Sequence, residues 1–120
     1  MANETQEIIV NGVAYVPKNE DAKRLGDKPY VIVRTYSAGV FAGWLERREG
    51  KEGTIRHARR IWYWSGAASL SQLAMHGPSD PDGCKFPCEV DKIEVTEIIE
   101  VLSVTEKART KIKDVPVWTK

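Results

Sequence analysis

The sequence predicts an α+β fold: an antiparallel β-sheet (a meander) with one or two short helices packed on it, preceded by an N-terminal β-hairpin arm. Three observations predict it. Short β-branched and aromatic runs separated by glycine-bearing turns recur between residues 8 and 64. Two spacings, Ser69-x-x-Gln72 and Ser103-x-x-Glu106, have the form of a capping box and mark helix starts behind the strands. Finally, 120 residues with 42% hydrophobic and 29% charged content suit one modest core.

The elements follow in order. Residues 8–16, "IIVNGVAYV", are two apolar runs joined by Asn11-Gly12, a pair that tolerates the positive φ of a tight hairpin turn. Pro17 ends the pairing by removing a backbone donor. The charged segment 18–28, "KNEDAKRLGDK", carries no strand pattern and is expected as a linker. The chain therefore divides into a hairpin arm (1–17), a linker (18–28) and an α+β body (29–120). In the body, "YVIVRTY", "VFAGWLERR" and "TIRHARRIWYW" form a meander of three antiparallel strands from about 30 to 64, turning at "SAG" and "EGKEG". Gly43, inside the second strand, suggests a bulge or a close backbone approach.

A short helix starts at Ser69, buries Leu70, Leu73 and Ala74 on one face, and stops at Gly77-Pro78. "GPSDPDGCKFPC" is a loop, and "KIEVTEIIEVLSV" is a strand with a break near Thr96. Ser103 caps a second helix, "EKARTKIKD", with Ala108 and Ile112 inward. Trp118, isolated in the tail, needs a surface to cover it. A lone hairpin is only marginally stable, so the arm is expected on the body or on another copy, and a homo-oligomer is expected.

Charge and composition narrow the function. A net charge of +1 predicts neither bulk nucleic-acid binding nor membrane adhesion, and no run approaches the roughly 20 apolar residues of a bilayer span. The acidic start "MANETQE" lacks a secretory profile, so a cytosolic protein is expected. Cys84 and Cys88 stand as Cys-x-x-x-Cys, with His76 eight residues earlier. They are weak metal candidates, because a closed site needs four ligands. Two thiols in the turn of a reduced protein is the plainer interpretation. Neither histidine sits in a catalytic pattern, and no Walker loop or dinucleotide fingerprint occurs, so no catalytic residue and no cofactor are expected.

One stretch resists an ordinary core-or-surface account: "ARRIWYWSGAASLSQLA", residues 58–74. Strand alternation would put Arg56, Ala58, Arg60, Trp62 and Trp64 on one face and His57, Arg59, Ile61 and Tyr63 on the other. Arginines beside indoles can hold a planar anion by pairing and stacking. The small residues Ser65 and Gly66 then let a ligand approach the backbone, and the helix starting at Ser69 offers free amides. The candidate ligand-binding residues are Arg59, Arg60, Trp62, Trp64, Ser65, Gly66 and Ser69, with Arg34, Tyr36 and Ser37 if the "RTYSAG" turn lies alongside. The alternative is structural. The tryptophans are then core, the arginines pair with Glu94, Glu97 and Glu100, and the small residues pack against the sheet. Arg47, Arg48, Lys51 and Arg56 extend the basic cluster, but interspersed acids suit a solvated hairpin face.

The blocks "RTYSAG" and "ARRIWYWSGAASLSQLA", with "CKFP", "KIEVTEIIEVLSVTEKA" and "VPVW", resemble a family of small proteins of tailed bacteriophages and prophages. The resemblance runs from Tyr30 to about Trp118 and carries no assigned reaction. It implies expression in the cytoplasm of an infected bacterial host. Combined with the residues above, it leads to an expected non-enzymatic accessory protein. Its expected partner is a small anionic, nucleotide-like ligand, a host-defence signal that it sequesters. Alternatives are a protein-interaction module that inhibits a host protein, a minor phage structural component, or a nucleotide hydrolase. No membrane and no sequence-specific nucleic acid is expected as partner.

Overall fold

The computed structural model describes residues 8–10, 13–15 and 20–119. Strands β1 (Ile8–Val10) and β2 (Val13–Tyr15) pair antiparallel in the register Val10↔Val13, forming a separate two-stranded sheet. The Asn11-Gly12 turn, Pro17 and the first two residues of the expected linker lie outside the described residues.

Five strands form the main antiparallel sheet: β3 (Tyr30–Thr35), β4 (Val40–Glu49), β5 (Glu52–Arg60), β6 (Glu89–Val95) and β7 (Ile98–Ser103). The spatial order is β6-β5-β4-β3-β7, so the expected three-strand meander stands at its centre. The stretch 92–104 breaks at Thr96 as expected, but its two halves do not continue one strand. It spans parts of two strands that occupy opposite edges of the sheet, β6 on β5 and β7 on β3. A two-residue corner can join opposite edges only if the sheet rolls up. Ile98 N accordingly donates to the Lys51 carbonyl at 2.9 Å, and a Cβ on Gly53 would stand 2.9 Å from Ile98 Cδ1. The rolled inner face buries Val31, Val33, Phe41, Ile55, Ala58, Val95 and Ile98, contributed by all five strands.

The outer face carries the helices α1 (Leu70–His76) and α2 (Glu106–Lys113). Tyr30, Ile32, Ala42, Ile61, Leu73, Ala74, Phe86, Ala108 and Ile112 make the second core between them. Ser69 caps α1 as expected, its hydroxyl accepting from Gln72 N, and Gly77 closes the helix with φ 75°. Gly77 is also where the helices touch: a Cβ there would lie 2.8 Å from Lys111 Cβ. The cap of α2 is Thr105 rather than Ser103, its hydroxyl accepting from Ala108 N. Thr105 has a second tie, since its Oγ1 donates to the Met75 carbonyl at 2.7 Å and holds the two helices together.

Residues 20–28, expected as linker, dock on the body. Ala22 is buried in the outer core and donates its N–H to Val104 O at 2.9 Å. Lys23 N donates to Glu106 Oε1 at 2.6 Å, and Lys23 O accepts from Trp44 Nε1 at 2.9 Å. A polar, unpatterned segment can thus be fixed by its backbone groups, which charge patterning does not report.

Candidate functional site

Strand β5 does not alternate cleanly. The register passes from Ala42↔Arg59 to Trp44↔Arg56, so two steps on β4 oppose three on β5. The extra residue is a β-bulge at His57, whose φ is +50°. Gly43 stands opposite, and the bulge explains it. A Cβ at that position would lie 2.6 Å from Ile55 Cγ2 and 2.8 Å from Arg56 O. The bulge inverts the parity of the strand, so Arg56, opposite Trp44, and Ala58, in the inner core, fall on opposite faces. It also brings His57 and Arg59 together on the helix side.

There they line a cleft of about 540 Å³ between the sheet and α2, within the usual range of small-molecule sites. The sheet supplies Tyr30, Trp44, His57, Arg59 and Glu89 to the cleft, and the helix supplies Arg109, Ile112 and Lys113. Three rings follow one another along it. Tyr30 and Trp44 meet edge-on with centroids 5.0 Å apart, and Trp44 and His57 with centroids 5.8 Å apart. The Arg109 guanidinium sits 6.0 Å from the Trp44 ring, held by a two-pronged ion pair to Glu106 at 3.0 and 2.7 Å. That pairing pushes the Glu106 carboxyl below its usual range and the Arg109 guanidinium above it. Burial raises the Tyr30 phenol well above its ordinary pKa against the opposing pull of Arg109 and Arg59, so it stays protonated at physiological pH. Glu89 Oε1 stands 3.7 Å from His57 Nδ1.

The residues singled out from sequence are dispersed. Arg59 is 7% exposed and spends its donors on backbone carbonyls: Pro87 through Nε, Ile112 through Nη1, Phe86 and Val115 through Nη2. It touches the cleft, but its chemistry is to fasten the end of α2 and the 86–87 loop to the sheet. Desolvation lowers its pKa, and the carbonyls at the end of α2 supply the negative end of a helix dipole in place of a carboxylate. Arg60 points to the other face, where it lies 4.5 Å over the Phe41 ring and donates to Ala38 O. Glu97 and Glu100 pair elsewhere, with Ser37 Oγ and with Arg34 Nε at 2.7 Å. Tyr36 is 78% exposed beside them.

The tryptophans do not share a face, because β5 ends at Arg60 rather than Trp64. Trp62 is 64% exposed, whereas Trp64 is half-buried against the outer core. Tyr63 and Lys85 exchange backbone hydrogen bonds, Tyr63 N donating to Lys85 O at 3.3 Å and Lys85 N to Tyr63 O at 2.7 Å, starting a loop-on-loop packing. Ser65 Oγ donates to Asp80 Oδ2 at 2.9 Å. Gly66, at φ 84°, accepts from Ser79 N at 3.0 Å, and a Cβ there would meet Asp80 N at 2.4 Å. The small residues therefore serve a close approach of the 79–84 loop. Among the described residues no hydrogen bond joins them to Ser37, whose hydroxyl instead bonds Glu97.

Cys84 is buried and Cys88 exposed, both as free thiols. The Cys84 sulfur lies 3.6 Å from Ser65 O and 3.4 Å from Asp80 O, and burial raises its pKa. Among the described residues no three His, Cys, Asp or Glu side chains are grouped to hold a metal ion, so Cys84, Cys88 and His76 are not brought together as a ligand set.

Sequence reasoning missed Tyr30, Trp44, His57, Glu89, Arg109 and Lys113 as a group. The available signal was Gly43, whose place inside a strand marked the bulge that sets His57 on the helix side.

A family model described as a domain of unknown function, DUF6948, matches residues 28–112. The chain belongs to that family. The matched region runs from the start of β3 into α2, and so contains Tyr30, Trp44, His57, Glu89 and Arg109 but not the β1–β2 hairpin. No curated protein and no solved structure matches the chain.

Proposed function

We propose that this DUF6948 protein is a non-enzymatic binder of a small planar anion of nucleotide type, and that the cleft between the sheet and α2 receives it. The supporting observation is the joint placement of the Tyr30–Trp44–His57 rings with Arg109 and Lys113 in one hollow of about 540 Å³. The Trp44 face suits a flat ring, and the guanidinium and ammonium suit phosphate oxygens. Lys113 has no ion-pair partner among the described residues, so its charge is free for a ligand. The resemblance to phage proteins suggests the setting, an infected bacterial cytoplasm in which the protein withdraws a host signal. Calorimetric titration with mononucleotides and cyclic dinucleotides tests the proposal. Saturable heat that Lys113→Glu weakens supports it, and absence of heat with every nucleotide overturns it. Product formation during the titration would indicate hydrolysis instead.

A second proposal rests on a different surface. Trp62 and Tyr63 are exposed, and the Lys85 ammonium lies 5.7 Å from the Tyr63 ring and 5.8 Å from that of Trp118. Exposed aromatics of this kind anchor protein interfaces, so a host protein, a virion component or a second copy could dock there. Capture from infected cells that Trp62→Ser abolishes would favour this interaction module.

A further inference from the structure

The cleft has two chemically different walls. The helix wall is cationic, with Arg109 and Lys113. On the sheet wall stands Glu89, the β6 partner of Arg59 in the strand register. An ionised carboxylate accepts hydrogen bonds and cannot donate them. The one ion-pair contact of Glu89 among the described residues is His57 Nδ1 at 3.7 Å, beyond hydrogen-bond reach. Its acceptor lone pairs are therefore open to the hollow. A planar ring laid against Trp44 with its phosphate on the helix side turns its far edge toward β6.

Resting on the nucleotide reading above, we propose that the cleft selects bases carrying an exocyclic amino group, with Glu89 accepting a hydrogen bond from that group. Cytosine and adenine present an N–H₂ donor where uracil and hypoxanthine present a carbonyl oxygen. A carbonyl facing the carboxylate brings two acceptors together with no proton between them. Discrimination follows from that mismatch, since leaving a polar group unpaired costs more than the bond itself gains. Ring size matches within each pair, but the neighbouring ring nitrogen also changes, from an acceptor in cytosine and adenine to an N–H donor in uracil and hypoxanthine. The comparison of CMP with UMP and AMP with IMP is therefore read together with a Glu89 variant.

The test is titration of the full chain with these four nucleotides, repeated on Glu89→Gln. Glu89 is exposed, so the variant is expected to melt with the native protein, which a thermal scan checks. The native chain should bind CMP over UMP and AMP over IMP by about tenfold. Glu89→Gln should compress both ratios to within about twofold, because an amide can also donate to a carbonyl. Equal binding of all four nucleotides, or ratios that survive Glu89→Gln, would overturn the base selection while leaving the cleft as a nucleotide site. No binding of any of the four would overturn both.

Discussion

Arg59 Nη2 donates to the carbonyl of Val115 at 2.7 Å, across 56 residues of chain, from inside the sheet to the turn just past α2. With its bonds to Ile112, Phe86 and Pro87 it makes one buried side chain the fastening point of three segments. Arg59→Lys keeps the charge but cannot reproduce a planar fork with donors in three directions. The expected loss is about 3 kcal/mol of unfolding free energy, from several carbonyls left unpaired. Urea denaturation measures it. A loss below 1 kcal/mol would contradict the fastening role.

The bulge at His57 and the bare Cα of Gly43 are two halves of one device. Gly43→Ala forces its new methyl against Ile55 and the Arg56 carbonyl, so it should destabilise by about 2 kcal/mol and weaken ligand binding together. His57→Gly should do the opposite to stability. A left-handed φ costs a residue with Cβ about 1 kcal/mol, which glycine relieves. Ligand affinity should fall all the same, because the imidazole leaves the cleft. Thermal melts and titrations on the two variants check whether stability and binding separate in this way.

Stability should decline at both ends of the pH scale for identifiable reasons. Burial raises the folded-state pKa of the Cys84 thiol and the Tyr30 phenol, favouring their neutral forms. That contribution is fully present below the unfolded values, about 8.5 and 10, and is lost as pH rises past them. Glu106 runs the other way. Its folded pKa is depressed by Arg109, so its contribution is present above about pH 4.3 and is lost as pH falls below. Urea midpoints across pH should show the alkaline decline softened in Tyr30→Phe and the acid decline softened in Glu106→Gln.

Trp62→Ser should leave the unfolding free energy within about 0.5 kcal/mol of native, because an indole 64% exposed contributes little to the core. If copies of the chain associate through this surface, the same substitution lowers the apparent mass in size-exclusion chromatography with light scattering.

Local chemistry was legible in the sequence, and long-range register was not. The Ser69 cap, the Gly77 stop, the inward Ala108 and Ile112 and the three central strands follow from neighbouring residues alone. The Arg59 tether joins positions more than 50 residues apart, and no local pattern announces it. The face assignment of "TIRHARRIWYW" failed at one inserted residue. A single bulge moved Arg56 away from Ala58, and the strand ended before either tryptophan. The cleft was invisible for the same reason. Its walls come from β3, β4, β5, β6 and α2, which meet only after the sheet rolls and α2 docks.

Amide chemical-shift mapping of the isotopically labelled chain with CMP tests the cleft most directly. Shifts should concentrate at Tyr30, Trp44, His57, Glu89, Arg109 and Lys113 and spare residues 62–69. Shifts confined to residues 62–69, or none at saturating nucleotide, would contradict the account.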